Sequence, residues 1–215
     1  MKKYIPIITT VKQLNKRNRI VLFAVCGLII NVVYAFYNGI LGIISHSVWF
    51  ITLFAYYIVL SAMRFSTVIV ECRNISKDNN TEIFIMKFCG VLLIVLALIL
   101  SGATCISIMK NIAVKHQESI MITIAAYTFY KIILTIVNTV KIKKENSPLL
   151  STIRNISCAD AAVSLLSMQR SMLVSFEGKS ADEIRIMNAL TGAAVFLFIV
   201  LLGMSMILRK SERNH

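Results

Sequence analysis

Residues 88–109 read FCGVLLIVLALILSGATCISIM, a run of 22 positions without one charged side chain. An α-helix of this length measures about 33 Å at 1.5 Å per residue, which matches the roughly 30 Å hydrocarbon layer of a bilayer. Similar apolar runs recur along the chain and are separated by short polar segments. Because lipid offers the backbone no hydrogen bonds, such runs predict membrane-spanning helices.

The composition and charge of the whole chain agree with this interpretation. Hydrophobic residues make up 57% of the 215 positions and charged residues 15%, against about 45–50% and about 25% in soluble domains. The net charge is +13, but the basic residues cluster at the ends of the apolar runs. This distribution predicts contact with anionic headgroups at the cytoplasmic face of a lipid bilayer, and no nucleic-acid partner.

We predict six transmembrane helices, near residues 20–44, 48–70, 84–108, 119–140, 149–176 and 186–208. Local signals support two of the starts. Ser147-Pro148 places a cap before a proline at the first helical position, and Ser180 with Glu183 has the spacing of a capping box. The predicted location is the cell membrane, with the N- and C-termini both cytoplasmic.

The fifth segment leaves a five-span alternative open. It contains Arg154, Asp160 and Arg170, and a charge at mid-bilayer costs about 2.5–3.5 kcal/mol on insertion scales. The segment could instead be an amphipathic helix at the membrane surface. Both alternatives keep the N-terminus inside, but they place the C-terminus on opposite sides.

An internal repeat favours six spans. Residues 34–37 (YAFY) resemble residues 127–130 (YTFY), and the sequence Ser-x-x-Arg followed seven residues later by Glu occurs at 61–71 and again at 167–177. We therefore predict an all-α membrane protein built from two inverted three-helix repeats, an architecture typical of transporters. The segments would be a basic cytoplasmic N-terminal segment (1–19), a first repeat (20–110), an outer loop (111–118), a second repeat (119–210) and a cytoplasmic tail (211–215).

Lys131 and Asp160 are the first candidate site residues, because both fall near the middle of consecutive antiparallel spans. Similar depth predicts a buried ion pair, which either locks two helices together or forms part of a site for a solute or ion. Ser164 and Ser167 share one face of the fifth helix with Asp160. Such a face either lines a polar path or lets helices approach closely.

Arg64 and Arg170 are candidates because the repeat relates them. They would act as anion-attracting gates at the two mouths of a pathway, or their guanidinium groups would snorkel to headgroups. Tyr37 and Tyr130 also fall near mid-span, away from the interfaces where aromatic belts lie. They are interpreted either as lining residues or as core packing.

No motif predicts an enzyme, a cofactor or a metal site. The five cysteines form no C-x-x-C pair, and neither H-E-x-x-H nor G-x-x-x-x-G-K-[ST] occurs. We predict a small-solute transporter or channel with a polar site at the midplane, for a solute that could be anionic. The alternative is a non-catalytic assembly or immunity-type protein, or an accessory subunit, acting as a homo-oligomer or with a partner membrane subunit. Six helices in about 200 residues also resemble the substrate-binding subunits of energy-coupling-factor vitamin transporters, although the A-x-x-x-A pattern of their first helix is absent.

Overall fold

The computed structural model is all-helical, as predicted, and describes residues 5–72, 79–109, 118–142, 147–175 and 180–209. Six helices follow one another along the chain: α1 (Ile5–Ile44), α2 (Val48–Cys72), α3 (Asn79–Met109), α4 (Glu118–Ile142), α5 (Pro148–Ser175) and α6 (Ala181–Leu208). Helix α1 begins well before the predicted span and includes residues 5–19. Residues 111–117 of the predicted outer loop, Glu177, the tail at 211–215, and the side chains of Glu71 and Tyr127 lie outside the described residues.

Five of the helices are long and apolar enough to cross a membrane. These stretches are Ala24–Ile44, Val48–Val70, Thr81–Ile106, Pro148–Leu173 and Asp182–Leu208. The chain is therefore a multi-pass membrane protein by the length and hydropathy of its helices. The fifth helix, which the sequence left in doubt, is one of the five. In α4 the apolar stretch that is described is shorter, Thr128–Val137.

Two helix starts and one tight turn have clear local causes. Helix α5 begins at Pro148, and α6 follows the predicted capping box, in which Ser180 and Glu183 exchange hydrogen bonds between side chain and backbone. Helix α1 ends in a Schellman-type turn. His46 has φ 46°, and the backbone N–H of Ser47 donates to the carbonyl of Gly42 over 3.2 Å. This closure satisfies end carbonyls and turns the chain directly into α2.

Helices α1 and α2 pack as one extended pair, and α3 and α6 as another. The α3–α6 crossing is closest at Gly90 and Gly203. A Cβ atom on either glycine would lie 2.8 Å from the carbonyl oxygen of the other, so only glycine permits this approach. Toward the other end of the pair, a Cβ on Gly192 would meet the Thr104 side chain at 3.0 Å.

Helix α5 lies at the centre of the bundle, where it contacts each of the other five helices. In the 18-residue apolar window of its candidate span 72% of the residues are buried, compared with 22% in the corresponding windows of α1 and α6. The polar residues that made this segment a weak span by hydropathy therefore face protein instead of lipid. Large apolar side chains such as Phe84, Ile133 and Leu201 are exposed on the outside of the bundle, as expected for a surface in hydrocarbon.

Candidate functional site

Asp160 on α5 binds two cations, one with each carboxylate oxygen. Its Oδ1 lies 2.6 Å from Lys131 Nζ on α4, and its Oδ2 lies 2.9 Å from Arg64 Nη2 on α2. The side chains of Arg64 and Asp160 are only 5% and 2% exposed, and that of Lys131 is 13% exposed. The predicted contact between Lys131 and Asp160 is present. We call Arg64, Lys131 and Asp160 the charge cluster.

The three residues meet because their depths in the bundle are similar. Asp160 lies 12 residues after the start of α5, Lys131 lies 11 residues before the end of α4, and Arg64 lies 8 residues before the end of α2. At 1.5 Å per residue these spacings correspond to about 18, 17 and 12 Å. The long arginine side chain covers the remaining difference. The sequence had suggested headgroups as the partner of the Arg64 guanidinium, and in the structure this group binds Asp160.

Gly27 on α1 provides the space for the Arg64 guanidinium. A Cβ atom at this position would lie 1.8 Å from Arg64 Nη1, a distance that no packing arrangement allows. The guanidinium therefore lies between the backbone of α1 and the Asp160 carboxylate. Sequence reasoning missed Gly27, and the only signal for it is an isolated glycine inside an otherwise apolar helical run.

Ser164 and Tyr57 add two hydroxyl groups beside the cluster. Ser164 lies one turn after Asp160 and donates to its backbone carbonyl over 2.8 Å, while its Oγ accepts from Lys131 Nζ at 2.8 Å. The Tyr57 hydroxyl lies 3.2 Å from the same Oγ. The Tyr57 ring also faces Lys131, with Nζ 5.5 Å from the ring centroid, within the range of a cation–π interaction.

Aromatic residues from α1 and α2 form the wall around Tyr57. The rings of Tyr34 and Tyr56 contact it edge-on, with centroids 5.0 Å and 5.6 Å away. Two buried polar atoms in this region, Arg64 Nε and the Tyr56 hydroxyl, have no hydrogen-bond partner among the described residues. Buried polar atoms without a hydrogen-bond partner are uncommon in proteins. This region therefore contains more buried polar atoms than its own hydrogen bonds satisfy.

The remaining candidates lie away from the charge cluster. Arg170 is buried near the end of α5, where its guanidinium carbon lies 4.5 Å from the centroid of the Trp49 ring. Tyr37 and Tyr130 are 44% and 59% exposed on the outside of the bundle. The structure therefore brings four of the eight predicted residues together, Lys131, Asp160, Arg64 and Ser164, with Ser167 one turn further along α5. The tyrosine beside Lys131 and Ser164 is Tyr57, and Tyr34 and Tyr56 pack against its ring.

The charge cluster contains one carboxylate and two cations. With all three groups ionised, its net charge is +1 at a depth where an uncompensated charge is costly. Its donors are suited to an anion, since Lys131 and Arg64 are both cations that bind carboxylate. Among the described residues no three His, Cys, Asp or Glu side chains come together as a metal site would require. No protein-family model, curated protein or solved structure matches this chain, so the argument for function rests on this geometry.

Proposed function

We propose that the protein is a transporter or channel that moves a small anionic solute across the cell membrane through a midplane site at Lys131. The observation that carries the proposal is that two buried cations share the single carboxylate of Asp160. A structural lock between helices needs one cation for one anion. Among the described residues no second carboxylate binds the two cations, so the second cation adds desolvation cost. Ionisable residues at this depth usually mark a solute or ion pathway.

The proposal includes six spans, with both termini cytoplasmic. Helix α4 has 25 residues, about 38 Å at 1.5 Å per residue, which is long enough to cross the hydrocarbon layer. If α4 crosses, Lys131 lies about midway through the membrane. Asp160 reaches the same level on α5, which runs antiparallel to α4, and Arg64 reaches it on α2, which runs parallel to α4. The inverted repeat is part of the same proposal. In it α2 would be equivalent to α5 and α3 to α6, and the helices of each of these pairs contact each other.

The mechanism we propose is an exchange of carboxylates at Lys131. In the absence of solute, Lys131 and Arg64 share Asp160. An incoming anion would take the place of Asp160 at the Lys131 ammonium, while Arg64 keeps Asp160. Two neutral pairs would then replace one triad of charge +1, so anion binding would relieve the charge imbalance. Lys131 is the most accessible of the three groups, at 13% exposure, which supports approach of the anion from its side.

Flux in reconstituted vesicles tests this proposal. Wild-type protein in vesicles of neutral lipid should transport at least one of chloride, lactate, succinate and phosphate, and Lys131→Met should abolish that flux. The matched control is Lys87→Met, because Lys87 is an exposed lysine on α3, eight residues after its first residue. Transport by Lys131→Met at the wild-type rate would contradict the proposed role of Lys131.

A non-catalytic assembly or accessory subunit is the second candidate. The observation that favours it is a groove between α3 and α6 lined partly by small side chains, including Ser101, Cys105, Ala189 and Ala193. Small residues on a lipid-facing surface allow another helix to approach closely. Absence of flux for all four anions, together with a stable homo-oligomer or complex in mild detergent, would favour this candidate over transport.

A further inference from the structure

The net charge of the charge cluster depends on a single proton. Arg64 and Lys131 share the one carboxylate of Asp160, so the cluster carries +1 when all three groups are ionised. It becomes neutral when one of the two cations releases a proton. Because a net charge at this depth is costly, the cluster has two ways to lower that cost, which are the loss of a proton and the arrival of an anion.

Lys131 is the group that can release this proton. Arginine stays protonated in proteins, whereas a buried lysine can become a neutral amine. A neutral amine keeps two N–H groups, enough for the hydrogen bonds to Asp160 Oδ1 at 2.6 Å and to Ser164 Oγ at 2.8 Å. These hydrogen bonds of the cluster can therefore persist after the proton leaves.

The other titratable groups around Lys131 do not compensate its charge. In the part of the chain that the structure describes, they are Asp160 on α5, Arg64 and Tyr57 on α2, and, behind the Tyr57 ring, Tyr34 and Tyr56. Asp160 is already bound by Arg64, and tyrosine hydroxyl groups are neutral at physiological pH. The charge of the cluster therefore follows the proton on Lys131.

A metal cation suits this cluster poorly as a coupling ion. Such an ion takes several oxygen ligands that offset its charge, but Asp160 already binds two cations. Across the described ranges, no three His, Cys, Asp or Glu side chains come together elsewhere either. A proton needs only the amine of Lys131.

We infer that the protein is a symporter of a monovalent anion and a proton, in which Lys131 takes up one proton with each anion and releases both on the other side of the membrane. This inference rests on the proposed anion site and names its coupling ion. Without an anion, Arg64 and Asp160 form a neutral pair beside the Lys131 amine. The incoming proton adds to the amine nitrogen, and the resulting ammonium pairs with the anion.

The cluster is neutral both when it is empty and when it holds a proton and an anion. The triad of charge +1 is then the intermediate that forms when the proton arrives before the anion. Because one positive and one negative charge cross together, transport should respond to a pH gradient and not to the membrane potential. A channel or uniporter for the anion alone would respond in the opposite way.

Uptake of chloride and of lactate into reconstituted vesicles tests the coupling. Valinomycin with equal potassium on both sides holds the membrane potential at zero, and uptake into protein-free vesicles is subtracted to remove the leak of protonated lactic acid. With the outside one pH unit more acidic than the inside, wild-type protein should accumulate at least one of the two anions up to about tenfold, the gradient that one coupled proton supports. At equal pH, an inside-positive potential should drive no uptake.

Lys131→Arg separates the charge of this residue from its proton. Arginine keeps the positive charge but does not release its proton, so this variant should lose the uptake that the pH gradient drives. Lys87→Arg, the same change at an exposed lysine of α3, should keep it. The melting temperature of each variant shows whether it is folded, and the wild-type measurement stands without the variants.

Each result of these measurements decides a different point. Uptake driven by the potential and not by the pH gradient would overturn proton coupling and leave anion transport intact. Uptake driven by the pH gradient in folded Lys131→Arg would overturn the assignment of the proton to Lys131. Flux of succinate or phosphate without chloride or lactate would overturn coupling to a monovalent anion, and no flux of any of the four would overturn transport and the coupling together.

Discussion

Asp160→Leu should be the most destabilising single change in the charge cluster. It leaves Arg64 and Lys131 buried without the carboxylate that binds both of them. Breaking one buried pair from one side costs about 3–5 kcal/mol, and here two cations lose their partner. Arg64→Met and Lys131→Met each leave an intact cation–carboxylate pair. Each should therefore cost no more than a charge-assisted hydrogen bond, about 1.5–3 kcal/mol.

Rescue by second and third substitutions gives the sharper form of this prediction. If Lys131 and Asp160 were an isolated pair, Lys131→Met with Asp160→Leu would restore most of the stability. Because Arg64 also binds Asp160, the double variant still contains one buried cation without a carboxylate, and it should recover only part of the loss. The triple variant with Arg64→Met should recover most of it.

The assay is the free energy of unfolding in mixed micelles titrated with a denaturing detergent, for all single, double and triple variants. Interaction within the cluster appears as non-additivity, since residues in direct contact couple and distant residues do not. Lys87→Met again serves as the control for loss of a lysine. Additive losses across the whole cycle, with no recovery in the triple variant, would refute the ion-pair geometry.

Four further predictions concern the packing, the topology and the two arginines. Gly27→Ala should displace the Arg64 guanidinium and lower the unfolding free energy by about 1–3 kcal/mol, whereas Gly102→Ala, where an added Cβ meets nothing within 4 Å, should be neutral or slightly stabilising by circular dichroism melting. A reporter fused after His215 should be active only on the cytoplasmic side, and activity outside would refute six spans. Arg170→Lys keeps the charge but loses the planar contact with Trp49, so we expect a lower melting temperature. If Arg64 and Arg170 are anion-attracting gates, Arg64→Lys and Arg170→Lys should change the rate or the ion preference of flux into vesicles, measured at matched protein amount and stability. Unchanged rate and ion preference in both variants would refute the gate hypothesis.

The sequence predicted the Lys131–Asp160 contact because depth in a membrane can be counted along the chain. Two charges near mid-span on consecutive antiparallel helices fall at similar levels, and lipid leaves them few other partners. The same count was available for Arg64, but its position nearer a helix end is also compatible with headgroups. Only the rotation of α2 about its axis decides between a partner inside the bundle and the headgroups. In the structure this rotation directs Arg64 to Asp160.

Helix rotation was not predictable because most of these helices are apolar on all sides. An amphipathic stripe identifies the buried face of a helix in a soluble protein, but a lipid-facing surface is as apolar as the core. Tyr37 and Tyr57 illustrate the result. Both are tyrosines within apolar spans, and the first is 44% exposed whereas the second is completely buried beside Lys131. Helix α5 is the exception, since its polar residues indicate the face that packs inside the bundle.

The stability and the activity of Lys131→Met together distinguish a helix lock from a binding site. A lock exists to stabilise the bundle, so its loss should lower stability and affect flux only through the amount of folded protein. A binding cation instead carries a stability cost that the ligand relieves, because without ligand it adds a second positive charge to a carboxylate already bound by Arg64. Buried charges replaced by apolar side chains of similar volume are often neutral or stabilising, and functional residues commonly show this trade-off. We therefore expect Lys131→Met to lose no more than about 1.5–3 kcal/mol of unfolding free energy, while anion flux is lost. A variant that is much less stable, yet transports normally per folded molecule, would assign Lys131 to the lock.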